Sequence, residues 1–447
     1  MLLNFVVSNF ESIGHPITFS MFPTVQSMER DRRFLKTIRT SAGDWEVLCR
    51  AGFFGPNAAG KTAFIESIAY AQSFILNGKR SGKGTGVVQF KGRFEDLQDR
   101  SMFQFTFFLD GEVYEYGFTL DRRQVYEEWL MLLCQGKDDL LPLFSRQTDA
   151  HGKTEVALYA DLTQEGTRER DLAEILVEGL GAQQSNQLFL RRLSENGVKR
   201  AEQVIAWFET LQIVYPDSRV QALPLRMQRD SDFKAFIAES LKKLGTGVNG
   251  VTVAKDEVDF YDLAEKMDLP KELVEKIEEM GDGIISYDGK YFLFEGGDGN
   301  RTMMLQLKFQ HLLNGKAVSF DMKDESDGTK RLLDLLPILF WIKEQKNAVF
   351  FLDEIDRSLH TKLTRYLLEE FAAKDGNTQI IFTAHDVNLI DLDAFRQDEL
   401  WLIEKNDAGE SQLRPLSDFD LQEGQDTLKA YLSGRFGAIP VIRREHG

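Results

Sequence analysis

Between residues 102 and 120 apolar and polar side chains alternate: Phe103, Phe105 and Phe107, then Tyr114, Tyr116 and Phe118, with Asp110-Gly111 between the two runs. A period of two puts one set of side chains on one face of a strand, and Asp-Gly is a favoured two-residue turn. The pattern therefore predicts a β-hairpin. Upstream, residues 1–7 and 45–54 read as apolar strands. Residues 61–76 switch to helical spacing, with Phe64, Ile65, Ile68, Ala69, Ala71 and Ile75 on one face. The run Asn77-Gly-Lys-Arg-Ser-Gly-Lys-Gly-Thr-Gly86 then reads as a surface loop.

Strand-like pieces continue to residue 160, and from 167 to 281 helical periodicity dominates, as in 172–180, 198–211 and 231–244. Strand character returns at 291–295 and 303–309. A helix over 330–343, a buried strand over 348–352, a helix over 363–373 and a strand over 379–383 follow, with a last strand at 401–403 and a short helix near 428. Strand and helix alternating in this way predict an α/β fold with a parallel sheet. The expected organisation is an N-terminal lobe (1–160), a mainly helical insertion that is acidic toward its end (161–300), and a C-terminal lobe (301–447). The two lobes would form one head. No heptads are sustained, so no coiled-coil arm is expected, and no Cys-x-x-Cys offers a metal hook.

The composition, 43% hydrophobic, is that of a soluble protein. The longest apolar candidate, 332–342, contains Asp334 and Pro337 and falls short of the roughly 18 residues a membrane span needs. The N-terminus lacks the basic segment and cleavage site of a signal peptide, and Cys49 and Cys134 fit no metal spacing. A reducing, cytoplasmic location is expected. The net charge of −17 counts against a sequence-independent DNA binder, since phosphate contacts need Lys and Arg. Residues 250–300 hold 14 Asp and Glu against 5 Lys, which is either a solvated surface or an acidic docking face for a basic partner. Two places for a local basic patch remain: Arg30, Arg32, Arg33, Lys36 and Arg39, or Lys79, Arg80 and Lys83.

Four short stretches carry the chemistry. Gly55-Pro-Asn57-Ala-Ala-Gly60-Lys61-Thr62 matches G-x-x-x-x-G-K-[ST] between a strand and a helix. Its glycines let backbone amides converge on phosphate oxygens at a helix N-terminus; Lys61 would neutralise the β- and γ-phosphates of ATP and Thr62 would ligate Mg2+. Asp353 and Glu354 end the apolar strand over 348–352, where two carboxylates are costly unless paired or metal-bound. Asp353 would hold Mg2+, and Glu354 would act as general base toward water. His385 ends the next apolar strand and would face the γ-phosphate. Glu325-Ser326-Asp327-Gly328-Thr329-Lys330 has the place of a signature: Ser326 supplies a hydroxyl, Gly328 permits close approach, and the following helix offers its positive end. Asp356 and His360, following the acid pair, are candidates for contacts between subunits. Gln89 is the best-placed glutamine for sensing Mg2+.

In this order the stretches resemble the ABC-type ATPases related to chromosome-condensation, RecF and OLD proteins. Val6-Val-Ser-Asn9-Phe10-Glu-Ser12 is similar to their Asn-Phe-x-Ser element near the adenine, with Glu11 where a basic residue is usual. A closer resemblance is to the bacterial abortive-infection (AbiL-type) and PARIS-type group, carried by the phosphate loop, Asn186-Gln-Leu-Phe-Leu190, Glu325-Ser-Asp-Gly-Thr-Lys-Arg331 and Asp353-Glu-Ile-Asp-Arg-Ser-Leu-His360. The resemblance implies an ABC-ATPase head with an antiparallel β subdomain. It also implies ATP shared between subunits of a homo-oligomer, a separately encoded effector of TOPRIM nuclease type, and a phage-encoded trigger. Only 62 residues follow His385, so any nuclease is expected to act in trans. Two other classes compete: a DNA-repair or recombination ATPase that clamps DNA, disfavoured by net acidity and the missing coiled coil, and a transporter subunit, disfavoured by the long insertion.

Overall fold

The computed structural model describes residues 1–24, 34–41, 43–78, 84–92, 99–133, 140–163, 165–180, 186–220, 222–259, 262, 264–265, 270–272, 275, 283–287, 290–294, 302–344, 347–372, 376–421 and 426–439. Arg30, Arg32, Arg33, Lys79, Arg80, Lys83, Cys134 and much of the acidic stretch over 250–300 lie outside them. The chain divides into two units: Met1–Pro216 with Gln345–Arg357 and Thr364–Gly447, and Asp217–Glu344 with Ser358–Leu363.

In the first unit, β1 (Leu2–Ser8) and β2 (Ile17–Ser20) pair antiparallel, β3 (Leu35–Thr40) and β4 (Gly43–Leu48) form a two-stranded ribbon, and β5 (Arg50–Phe54) leads through the glycine loop into helix α1 (Lys61–Asn77). The expected strand over 45–54 is thus two strands. At Cys49 the chain leaves one sheet, its amide donating to the Phe34 carbonyl, and enters another, its own carbonyl accepting from Ile380. β6 (Ser101–Leu109) and β7 (Glu112–Leu120) are the expected hairpin. It turns at Asp110 and Gly111, whose φ angles of 51° and 86° suit a type I′ turn. β8 (Val125–Leu133), β9 (Leu140–Thr148) and β10 (Thr154–Leu158) complete an antiparallel sheet of order β10-β9-β8-β7-β6-β1-β2. Helices α2 (Arg168–Glu178), α3 (Phe189–Glu195) and α4 (Lys199–Glu209) and strand β11 (Leu211–Val214) also belong to this unit.

The second unit opens with α5 (Leu223–Arg229) and α6 (Ser231–Lys243). The latter buries Phe233, Ile237 and Leu241 four residues apart, and the Asp230 carboxylate caps it by accepting from Phe233 N at 2.8 Å. Next come β12 (Val248–Val258), β13 (Gly283–Tyr287), β14 (Lys290–Phe294), β15 (Thr302–Leu313) and β16 (Lys316–Asp321). They form a sheet of order β12-β15-β14-β13, with β16 also on β15. Residues 248–258, read from the sequence as part of a helical stretch, are therefore a strand. Their β-branched Val248, Val251, Thr252, Val253 and Val258 suit a pleated surface, and their pairing partner lies some fifty residues downstream, beyond any local window. Helix α7 (Asp327–Glu344) ends this stretch, with Phe340 packed on Phe233 and Phe236.

Then follow β17 (Val349–Leu352), α8 (Thr361–Ala372), β18 (Gln379–Thr383), β19 (Leu400–Lys405), β20 (Ser411–Pro415) and α9 (Thr427–Leu432), all in the first unit except the first three residues of α8. The second sheet has the order β11-β17-β18-β5-β19-β20, parallel except for β20. Phe64 of α1 contacts Phe5 of β1, Phe19 of β2 and Phe53 of β5, so α1 is packed between the two sheets. Aromatic burial of this kind is worth about 1.5–3 kcal/mol per ring, and it fixes the helix whose first turn follows the glycine loop. The carboxyl ends of β5, β17 and β18 lie side by side, the crevice position where α/β sheets bind ligands.

Candidate functional site

At those three strand ends a cleft of about 630 Å³ is lined by Glu11, Ser12, Asn57, Ala58, Ala59, Gly60, Lys61, Thr62, Glu66, Glu354 and His385, among others. Its floor is the glycine loop. A Cβ on Gly55 would lie 2.0 Å from the Ile403 carbonyl oxygen, and one on Gly60 would lie 2.2 Å from Ser411 Oγ. Gly60 also has φ 114°, so both positions require glycine. Gly60 is the N-cap of α1, no side chain caps the helix, and its first turn holds no acid. The first-turn amides therefore have neither intrahelical acceptors nor a capping carboxylate, which is the condition for receiving an anion. Lys61 Nζ donates to the carbonyls of Gly55 (2.7 Å) and Pro56 (3.2 Å). Burial lowers its pKa to about 8 despite the attraction of Asp356, Asp353 and Glu354. Desolvation outweighs three carboxylates, so added negative charge in the cleft would raise the pKa again.

Asp353 is buried at the end of β17. Its Oδ2 accepts from Thr62 Oγ1 at 3.1 Å and its Oδ1 from Thr383 Oγ1 at 2.6 Å. Thr383 in turn accepts from the Glu354 amide at 2.8 Å, holding Glu354 at φ 47°. A non-glycine residue in the left-handed region is held there by its surroundings, and such residues gather at functional sites. Glu354 Oε1 lies 3.4 Å from His385 Nε2, and His385 Nδ1 lies 3.5 Å from Lys61 Nζ. With the ammonium on one side and a carboxylate on the other, the geometry suits the tautomer with hydrogen on Nε2. Lys61, His385 and Glu354 thus form a row along one wall.

The turn from Asn9 to Ser12 also reaches the cleft, through Glu11 and Ser12. Ser12 Oγ lies 2.8 Å from Ser411 Oγ, which donates to the Ala59 carbonyl at 2.7 Å, tying this turn to the glycine loop. The Glu11 carboxyl has a pKa raised to about 7, first by burial and then by its hydrogen bond with Glu66 and the charge there. Sequence reading assigned no role to Glu66, Thr383 or Ser411. Thr383 had a signal, as a polar residue inside the apolar β18; Ser411 and Glu66 are recognised only through their spatial neighbours.

Two groups of expected site residues lie elsewhere. Gln89 is not among the cleft-lining residues, and its side-chain amide donates to the Asp99 carbonyl at 2.6 Å. Ser326 and Gly328 belong to the second unit. Ser326 Oγ accepts from Thr329 N at 3.1 Å, capping α7, and a Cβ on Gly328 would meet the Ser358 carbonyl oxygen at 3.0 Å. Asp356, expected to face another subunit, uses its Oδ2 within the chain to accept from the amides of His385 (2.8 Å) and Asp386 (2.6 Å).

The residues present suit a nucleoside triphosphate with Mg2+. A buried cation and an uncapped helix start fit the phosphates. The Thr62 hydroxyl beside the Asp353 carboxylate is a pair of hard oxygens, and no cluster of three or more His, Cys, Asp or Glu among the described residues could hold a metal by itself. Mg2+ characteristically takes one or two protein oxygens and completes its shell with phosphate and water.

A parallel sheet with a phosphate loop after β5, an acid pair after β17 and a histidine after β18, flanked by an antiparallel sheet, defines a P-loop nucleotide-binding head of the ABC type. The profile of the family described as "AAA domain, putative AbiEii toxin, Type IV TA system" matches residues 50–391, and the chain belongs to that family. No curated protein matches the sequence. Among solved structures, the chain is similar to an SMC head bound to the C-winged helix domain of ScpA, at 11% identity and a TM-score of 0.39, over 92% of this chain and 96% of that one. It is also similar to the SMC head domain from Thermotoga maritima, at 14% identity and a TM-score of 0.35, over 94% and 99% of the two chains. Neither likeness bears on mechanism.

Proposed function

We propose that this protein is a Mg2+-dependent ATPase of a bacterial anti-phage, abortive-infection system. In this reading it binds and hydrolyses ATP at sites shared between copies of itself and controls a separately encoded toxic effector, a TOPRIM-type nuclease, in response to a phage-encoded trigger. The observation that carries the ATPase reading is the row Lys61, His385 and Glu354 beside the pair Thr62 and Asp353 in one cleft. Family membership supports the defence setting, since the family's description names a toxin and a toxin–antitoxin system. No helix among the described residues is long and apolar enough to cross a membrane, which agrees with a cytoplasmic site of action.

Bound at Thr62 and Asp353, Mg2+ would neutralise phosphate charge and orient the leaving group. The chain's own residues do the rest. The glycine loop and Asn57 cradle the phosphates, and Lys61 leaves its loop carbonyls for phosphate oxygens. Glu354, about one third exposed, takes a proton from the attacking water. His385 stands between base and cation and donates from Nε2. Ser326 and Gly328 of a second copy cap the γ-phosphate.

Three proteins test this: wild type, Glu354→Gln and Lys61→Ala, each assayed for ATP turnover and, with the neighbouring genes, for protection in phage plating. Wild type should hydrolyse ATP. Glu354→Gln should bind ATP yet lose on the order of 10²–10⁴ in turnover, and Lys61→Ala should lose protection while staying folded. Native turnover in Glu354→Gln removes it as the base, and undiminished protection by Lys61→Ala removes ATP from the defence.

A further inference from the structure

His385 is more than a third exposed, so apolar packing does not fix its ring; its position follows from its backbone. That backbone is tied to the turn after β17 by two kinds of link. Thr383, two residues earlier, bridges Asp353 and the Glu354 amide through its hydroxyl, and its carbonyl accepts from Ile355 at 3.1 Å. Beyond the strand, Asp356 ties this turn to the His385 segment. One of its oxygens accepts from two consecutive amides, those of His385 and Asp386. Charged hydrogen bonds of this length are roughly twice as strong as neutral ones. The Asp386 carboxylate is engaged in its own turn, its Oδ1 accepting from Asn388 N at 3.0 Å and Nδ2 at 2.7 Å.

We propose that Asp356 is a positioning residue for hydrolysis: by gripping the amides of His385 and Asp386 it holds the imidazole between Lys61 and Glu354. The assignment rests on the ATPase reading above and adds to it a residue that touches neither phosphate nor water. Asp356 also bears on the cation of the row, being the strongest attraction opposing the desolvation of Lys61. Its second oxygen, Oδ1, is buried without a hydrogen-bond partner, so the grip depends on Oδ2 alone. The role needs first an acceptor oxygen at that point, which asparagine keeps with weaker, uncharged bonds and alanine lacks. Asparagine can therefore serve, whereas alanine cannot.

The test compares wild type, Asp356→Ala and Asp356→Asn by steady-state ATP hydrolysis and by ¹⁵N spectra of the histidine imidazoles, with His385→Gln identifying the His385 signal. Asp356→Ala should lower kcat by roughly tenfold to a hundredfold, the size expected when a catalytic group is misplaced, with KM within about twofold of wild type and a shifted or broadened His385 signal. Asp356→Asn should recover most of kcat and the native His385 signal. The inference is overturned if Asp356→Ala turns over like wild type, if Asn and Ala are equally impaired, or if the His385 signal is the same in all three. Should wild type show no turnover, the ATPase reading fails, and the His385 signals alone still decide whether Asp356 holds the loop.

Discussion

Lys61 shows how the cleft is poised. Burial takes its pKa to about 8, and the neighbouring Glu11, buried beside Glu66, is raised to about 7. Both shifts have the same sign consequence for an anionic ligand. Phosphate oxygens near Lys61 raise its pKa again, and negative charge near Glu11 raises that carboxyl further, so the complex holds more protons than the free protein. Affinity for ATP should then fall as pH rises from about 7 to about 9, by the linkage between proton binding and ligand binding. Calorimetry at pH 8 in two buffers of different ionisation enthalpy should show uptake of up to about half a proton from Lys61, reduced in Lys61→Met. Binding heats that do not depend on the buffer would contradict the perturbed lysine. The residue types were legible at this scale, but the shifts were not, because they arise from burial and from carboxylates distant in sequence.

The elements are joined by buried polar nodes that no periodicity announces. Glu128 of β8 accepts from the amides of Phe189 (2.6 Å) and Leu190 (2.8 Å) at the start of α3, from Tyr116 (3.1 Å), and from Arg146 of β9 at 3.4 Å. Burial raises its pKa, while Arg146, the two amides and Tyr116 pull it back. This accounts for Asn186-Gln-Leu-Phe-Leu190, a sequence feature without an assigned role: the segment docks a helix start onto a buried carboxylate. Glu128→Ala would remove the carboxylate that faces the buried Arg146 guanidinium, at a cost of about 3–5 kcal/mol. Urea unfolding followed by circular dichroism should show that loss, with a smaller one for Glu128→Gln; a change below about 1 kcal/mol would mean that water replaces the carboxylate easily. Strands β6 and β7 were legible because the turn and the alternation are local. Strands β11 and β12 were not, since each is defined by a partner elsewhere in the chain; β16, which pairs with β15 across the turn Asn314-Gly315, had a local signal that the sequence reading passed over.

For the whole molecule, the shared-site reading makes a prediction that does not depend on any single-chain geometry. A Lys61→Ala chain keeps its signature, and a Ser326→Ala chain keeps its phosphate loop. If ATP is bound by the loop of one copy and the signature of another, mixing the two inactive proteins should restore turnover through one complete site per mixed dimer, as two-fold symmetry requires. Activity that stays at the level of the separate proteins would confine each site to one chain. Ser326→Ala also removes a helix cap worth about 1 kcal/mol, so each variant's folding should be checked by its unfolding midpoint.

The sequence by itself picked out residues that the structure brings to one cleft: the glycine loop, Lys61 and Thr62, the acid pair Asp353-Glu354, and His385 after an apolar strand. These were legible because a phosphate loop and polar residues ending buried strands are local patterns with few structural excuses. It also determined the α/β alternation and the hairpin at Asp110-Gly111. Only the tertiary structure decided what holds these groups in place. Thr383 and Asp356 act through strands that become neighbours only in the parallel sheet, the Asn9–Ser12 turn reaches the loop through Ser411, some four hundred residues away, and Gln89 is turned to the Asp99 carbonyl. Catalytic residue types are fixed by local need, whereas their supports are fixed by proximity that sequence order does not encode.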